Sequence, residues 1–339
     1  MLLVVIHHYF PSALPGGFIG VDVFFVISGY LITRWLLVRT DINLLKLLIN
    51  FFYGRFLRLA PALLFMTTGT YLIASFVLLP VELRYLGKHG VAGLLGAANI
   101  TLWTESGYFD ADSSEKPFLH LWSLGVEEQF YLFWPITIVG LILFLGSRRK
   151  PLFPFLLATS LAMWLTSFLI SLWLTSTEPS SAYFLFHSRA WELISGALLA
   201  IIVFFRPKES QFSRRIAAFL KWTGFVGIAL LAFIIDRTVP FPGVVALLPV
   251  FAASLVVFTS VSHPRSEPQR YSRPMLFLGD ISYALYLWHW PLLVIAGLVY
   301  PFNLGFWPSI VLIILSVLFA SLSTLTVERV WRINARKIH

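Results

Sequence analysis

The chain has 339 residues, of which 58% are hydrophobic and only 12% charged, with no cysteine and a formal net charge of +9. Soluble domains are about 45–50% apolar and about 25% charged, so these fractions exclude a soluble globular protein, a disordered chain, a coiled coil and a disulfide-stapled secreted domain. They leave a polytopic membrane protein, in which the surplus of 25 Lys and Arg over 16 Asp and Glu marks cytoplasmic loops rather than a nucleic-acid groove.

Residues 1–10 (MLLVVIHHYF) are apolar but cover only about 15 Å as a helix, half of the hydrocarbon core. The expectation is a first helix truncated by the start of the chain rather than a half-helix buried in protein. Crossing the core takes about 20 mostly apolar residues. That length predicts spans at 20–38, 62–80, 128–146, 152–175, 189–205, 222–236, 241–260, 275–297 and 307–327. With the first helix this makes an all-α, polytopic transmembrane helix bundle of about ten spans. It forms one domain over 1–339, with no fused extracytoplasmic domain. No inverted repeat of the kind that builds transporters is visible.

Basic residues orient the bundle. They gather at 34–58 (Arg34, Arg39, Lys46, Arg55, Arg58), at 148–150, at 206–221, at 263–273 and in the tail from Arg329 to Lys337. The loop 11–17 carries no charge, and 104–116 is net acidic (Glu105, Asp110, Asp112, Glu115 against Lys116). Basic stretches inside put the C-terminus in the cytoplasm. An even number of crossings must then separate 34–58 from 147–151, so the short apolar run 90–103 is expected to be re-entrant or interfacial.

Ionisable residues within membrane segments are costly and point to function by default. His8, with His7 beside it, closes the first apolar run, where an imidazole can exchange a proton near neutral pH or simply cap a helix at the interface. Asp22 is either a carboxylate favoured by a helix N-terminus or the group that orients an imidazole of the first helix. Arg55 and Arg58, at i and i+3, present one face that suits phosphate or plain positive-inside anchoring. The run FLHLWSLGVEEQFYLFWP places His120, Ser123, Glu127, Glu128 and Gln129 at the mouth of a span, too densely polar for a plain helix start. Arg189 and Glu192 are spaced for an intramembrane ion pair, with a structural role favoured. Asp280, Ser282, Tyr283, Tyr286 and His289 share the span that contains Pro291, and Glu328 with Arg329 can anchor the tail at the inner surface. There is no H-x-x-x-H pair, P-loop, dinucleotide glycine motif or G-x-S-x-G elbow, so no metal site is expected.

The run HHYFPSALPGGFIGVDVFFVISGYLIT resembles the N-terminal signature of the membrane-bound acyltransferase-3 family, the polysaccharide and lipopolysaccharide O-acetyltransferases. GRFLRLAP, HLWSLGVEEQFYLFWP, SRAWELISGALLA, GDISYALYLWHWP and VERVWR follow in the family's order. The resemblance covers essentially the whole chain. It implies transfer of an acyl group, usually acetyl, from cytoplasmic acyl-CoA to a sugar hydroxyl outside a bacterial inner membrane. It places the family's essential histidine on His8, its motif aspartate on Asp22, its motif glutamate on Glu127 and Glu128, and its basic motif on Arg55 and Arg58. Gly54 replaces one expected arginine, and the arginine normally eleven positions before the histidine would fall before Met1. His8, oriented by Asp22, would act as general base or transient acyl carrier, with Glu128 beside it in the catalytic set. His120, Ser123, Glu127, Arg189, Glu192, Tyr283 and His289 would be substrate-facing or structural polar groups.

The partners implied are acyl-CoA, membrane lipid and an envelope glycan, with a separate extracytoplasmic protein as a further expectation and no nucleic acid. Two rival functions stand beside it: a transporter or flippase of a lipid-linked glycan, and a truncated, non-catalytic relative.

Overall fold

The computed structural model describes residues 1–39, 43–106, 115–146, 151–205, 213–236, 238–262, 273–300 and 304–331. A short α1 (Leu2–Tyr9), a 3-10 turn (Gly17–Ile19) and α2 (Gly20–Leu37) open the chain. They are followed by α3 (Leu44–Ala74), α4 (Pro80–Leu94), α5 (Ala98–Glu105), α6 (Leu121–Gly146), α7 (Leu152–Thr177), α8 (Pro179–Phe184) and α9 (Phe186–Phe205). The last third holds α10 (Arg214–Ile234), α11 (Leu247–Ser262), α12 (Arg273–Asp280), α13 (Ser282–Val299) and α14 (Phe306–Leu322), which runs into a π-helical stretch (Ser323–Glu328). Among the described residues there is no strand, so the protein is an all-α bundle. Among the described residues, eight helical segments are long and apolar enough to cross a membrane, while the apolar part of α11, Leu247–Val261, is shorter. Their outward faces carry bare apolar side chains such as Trp173, Phe219, Phe233, Trp307 and Leu318, the surface that lipid rather than water would cover. The structure therefore supports a multi-pass membrane protein.

Several boundaries differ from the sequence expectation. Lys46, Arg55 and Arg58 lie within α3, not in a basic loop, because the Asn43 side chain accepts the Leu45 and Lys46 amides and starts the helix there. α6 begins at Leu121, so Ser123, Glu127 and Glu128 sit inside it rather than at its mouth. The expected span 275–297 is broken at Ile281 into α12 and α13, which puts exposed Asp280 on a different helix from His289. Glu328 is buried and accepts the Thr324 hydroxyl at 3.0 Å. The basic stretches 148–150, 206–212 and 263–272, the residues 332–339, and Asp110 and Asp112 lie outside the described residues.

The run 90–103 divides between two short helices. Pro80 starts α4, and the Glu82 carboxylate accepts the Leu79 amide at 2.7 Å. Gly96, at φ +68°, takes the left-handed turn that joins α4 to α5. The tip of this hairpin packs on the Glu128 side chain of α6, where a Cβ on Gly96 would lie 3.0 Å from the Glu128 Cβ. Farther from the tip, Lys88 and His89 of α4 meet Glu105 of α5, each at 2.6 Å. Burial pushes the Glu105 carboxyl up, but hydrogen bonds from Lys88 and His89 outweigh it and hold the group below the ordinary carboxylate range.

α2 and α9 pack closest of all, and glycine is the reason. A Cβ on Gly29 would stand 1.8 Å from the Leu193 carbonyl oxygen, and one on Gly196 would stand 1.9 Å from that of Val26. Small residues at these crossings let two backbones touch within a membrane. Gly29→Ala or Gly196→Ala is expected to cost at least about 1–3 kcal/mol through overpacking, read as a lowered thermal midpoint in detergent. Gly54→Ala, whose Cβ meets nothing within 4 Å, is the control that should not destabilise.

Candidate functional site

Two cavities flank one wall. The first, of about 310 Å³, is lined by Met1 and Val4 of α1, by Ser28 of α2, by Arg55 and Arg58 of α3, by Ser123, Glu127 and Tyr131 of α6, and by Tyr283 and Tyr286 of α13, among others. The second, of about 710 Å³ and more open, is lined by His8, Tyr9 and Phe10 at the other end of α1, by Leu293 and Gly297 of α13 with Tyr300 just after it, and by Ser309 of α14. α1 is only about 12 Å long at 1.5 Å per residue, so its two ends bound both cavities. His289 lies between Tyr286 and Leu293 on α13, in the wall itself.

The wall holds three imidazoles. His8 Nδ1 is 3.0 Å from His289 Nε2, with the two rings parallel to within 6°. His289 Nδ1 is 2.7 Å from the Tyr286 carbonyl oxygen and 3.2 Å from that of Leu285. His120 meets the His289 ring edge-on at 5.8 Å. It is buried, with the backbone of Leu287 and Pro117 near its ring but neither nitrogen in a well-directed hydrogen bond. Tyr286 ties the first cavity to this cluster: its hydroxyl donates to the His120 carbonyl oxygen at 2.7 Å and lies 2.5 Å from Ser123 Oγ. Tyr9 donates to the His289 carbonyl oxygen at 2.8 Å, and Trp290 Nε1 to that of Lys116 at 2.9 Å, which pins α13 on both sides. His7 points elsewhere, with Nδ1 2.9 Å from the Leu14 carbonyl oxygen.

Asp22 is not on His8. It is fully buried on the face of α2 toward α9, where its Oδ1 lies 3.1 Å from Arg189 Nη2. Arg189 Nη1 is also 2.9 Å from Glu192 Oε1, so the expected Arg189–Glu192 pair is a trio with Asp22. The rings of Phe25, Trp122, Tyr183 and Phe241 stand 5.4–6.0 Å from the guanidinium carbon. Aromatic faces of this kind compensate a desolvated cation. The group that meets His8 is His289, 281 residues away.

Glu127 and Glu128 part company. Glu127 faces the first cavity and accepts from Ser28 at 2.7 Å and Tyr131 at 2.8 Å. Glu128 supports the α4–α5 hairpin tip. Arg55 lies over the Tyr131 ring at 4.0 Å, and its Nε is buried with no hydrogen-bond partner. Tyr283 donates to the Leu59 carbonyl oxygen at 3.2 Å, fixing α13 to the arginine-bearing turn of α3. Among the described residues, no three His, Asp or Glu side chains gather in a way that could hold a metal ion.

Such an arrangement suits group transfer. A cavity with two guanidinium groups in its lining can hold a polyanion, and a histidine pair behind it can take and return a proton.

A profile described as an acyltransferase domain matches residues 1–326. A peptidoglycan O-acetyltransferase of Listeria monocytogenes is 32% identical over 299 residues, covering 86% of this chain and 47% of that protein. A Bacillus subtilis protein provisionally named a peptidoglycan O-acetyltransferase is 32% identical over 307 residues, 86% of this chain and 47% of its own length. A Staphylococcus aureus protein provisionally named an O-acetyltransferase is 33% identical over 299 residues, 85% of this chain and 48% of its own. The chain thus spans about half the length of the curated relatives it matches. No solved structure matches it.

Proposed function

Because the chain belongs to the membrane-bound acyltransferase-3 family, we propose that it moves an acyl group, usually acetyl, from acyl-CoA in the Arg55–Arg58 cavity to a hydroxyl presented at the His8 cavity. The observation that carries this reading is the His8–His289 pair standing in the wall between the two cavities. The donor side is the cytoplasm, the acceptor side lies outside a bacterial inner membrane, and the C-terminus is cytoplasmic. The acceptor is a cell-envelope glycan. The printed name of the Listeria relative makes the peptidoglycan strand the first acceptor to try. A separate extracytoplasmic protein would receive the acyl group or present that acceptor.

In the direct route, His8 takes the proton of the acceptor hydroxyl as its oxygen bonds to the acyl carbon. The carbon–sulfur bond then breaks, and the proton passes from His8 to the CoA thiolate. In the two-step route His8 bonds to the acyl carbon as CoA leaves as its thiolate; the hydroxyl oxygen then bonds to that carbon as His8 leaves as neutral imidazole, and the hydroxyl proton passes to the thiolate. Arg55 and Arg58 hold phosphate and do no covalent chemistry, and Glu127 orders Ser28 and Tyr131 around them.

The donor side is tested with Arg55→Ala/Arg58→Ala. A hydrogen bond to a charged group contributes about 1.5–3 kcal/mol, so loss of both is expected to raise the KM for acyl-CoA at least about tenfold, with a smaller change in kcat. It should also abolish thermal stabilisation by free CoA. A wild-type protein neither stabilised by CoA nor able to cleave acyl-CoA would favour glycan transport instead.

A further inference from the structure

We infer that His289 fixes the tautomer of His8, so that Nε2 of His8 is its reacting nitrogen. This deepens the acyl-transfer reading and rests on it for its kinetic consequences, though not for the tautomer itself. The carbonyl oxygens of Tyr286 and Leu285 can only accept, so His289 Nδ1, 2.7 and 3.2 Å from them, carries a hydrogen. In a neutral imidazole the other nitrogen is then a lone-pair acceptor. His289 Nε2 therefore accepts, and the hydrogen in its 3.0 Å contact belongs to His8 Nδ1. That leaves the lone pair of neutral His8 on Nε2.

His289 has reason to stay neutral. It is fully buried, and the groups that face it are His8 and Tyr9 from α1, His120 from the segment before α6, and Tyr286 on its own helix. None of these is a carboxylate, and an imidazolium buried without one is strongly disfavoured. A backbone carbonyl here does the orienting that a carboxylate does in a Ser-His-Asp triad, with a second imidazole between it and the reacting one. His289 is thus a positioning residue that acts through His8.

The test uses the full chain in detergent, labelled with 15N-histidine, with the His8 signals identified by their loss in His8→Gln. The inference expects neutral His8 to carry its hydrogen on Nδ1, and a hydrogen on Nε2 overturns it. Kinetics supply the second readout. His289→Gln keeps an oxygen able to accept from His8 Nδ1, whereas His289→Leu keeps none. Per folded molecule, kcat for acyl transfer should fall about a hundredfold in the leucine variant and stay within about tenfold in the glutamine variant, with KM for acyl-CoA unchanged in both. Equal kcat in the two variants also overturns the inference. If instead His8→Ala transfers at the wild-type rate, the acyl-transfer reading fails, while the nitrogen spectrum still decides the tautomer.

Discussion

Arg189→Met is expected to be the most destabilising single substitution outside the glycine crossings. It would leave Asp22 and Glu192, both with no exposed surface, as buried carboxylates without a cation. Removing one partner of a buried ion pair costs about 3–5 kcal/mol, far more than the intact pair contributes. The expected result is a large fall in the thermal midpoint in detergent, with poor recovery of folded protein. The trio carries two acids and one base, so Asp22→Asn or Glu192→Gln leaves a one-to-one pair and should be milder. The neutral triple variant Asp22→Asn/Arg189→Met/Glu192→Gln should recover much of the loss, because no charge then remains to be paired. A midpoint for Arg189→Met equal to wild type would contradict the structural role assigned to this cluster.

The second large effect falls on chemistry. His8→Ala is expected to reduce acyl transfer by about 10²–10⁴-fold, the contribution of a positioned acid–base group, or by more if His8 carries the acyl group. His8 lines the second cavity and not the first, so stabilisation by CoA should persist in the variant. That split separates a failed reaction from a failed fold. Loss of CoA stabilisation together with activity would place His8 in the donor cavity and contradict the two-cavity arrangement.

Much of this architecture is legible in the residues. Apolar runs of about 20 residues mark the spans of α2, α7, α9 and α14, and the i, i+3 spacing of Arg55 and Arg58 puts both on one cavity wall, as observed. Helix starts are less legible. α3 and α6 extend through turns that carry Arg55 and Arg58, or Glu127 and Glu128, and a hydropathy window cuts such turns off although the helix continues. Charge parity singles out the run 90–103 as different from a plain span, but its division at Gly96 depends on packing against Glu128. Long-range pairing left no local trace. Asp22 sits fourteen residues after His8 and 167 before Arg189, and proximity in sequence favoured the wrong partner. The one available signal was His289 itself, an ionisable side chain in an apolar helix that an aromatic belt does not explain.

Acyl transfer itself is measured on purified protein supplied with acetyl-labelled acetyl-CoA and a peptidoglycan-derived glycan. Label should appear as an ester on the glycan with the wild-type chain and at no more than background with His8→Ala. Equal labelling by both proteins would contradict the account, as would a folded, CoA-stabilised wild type that neither labels the glycan nor releases CoA from acetyl-CoA.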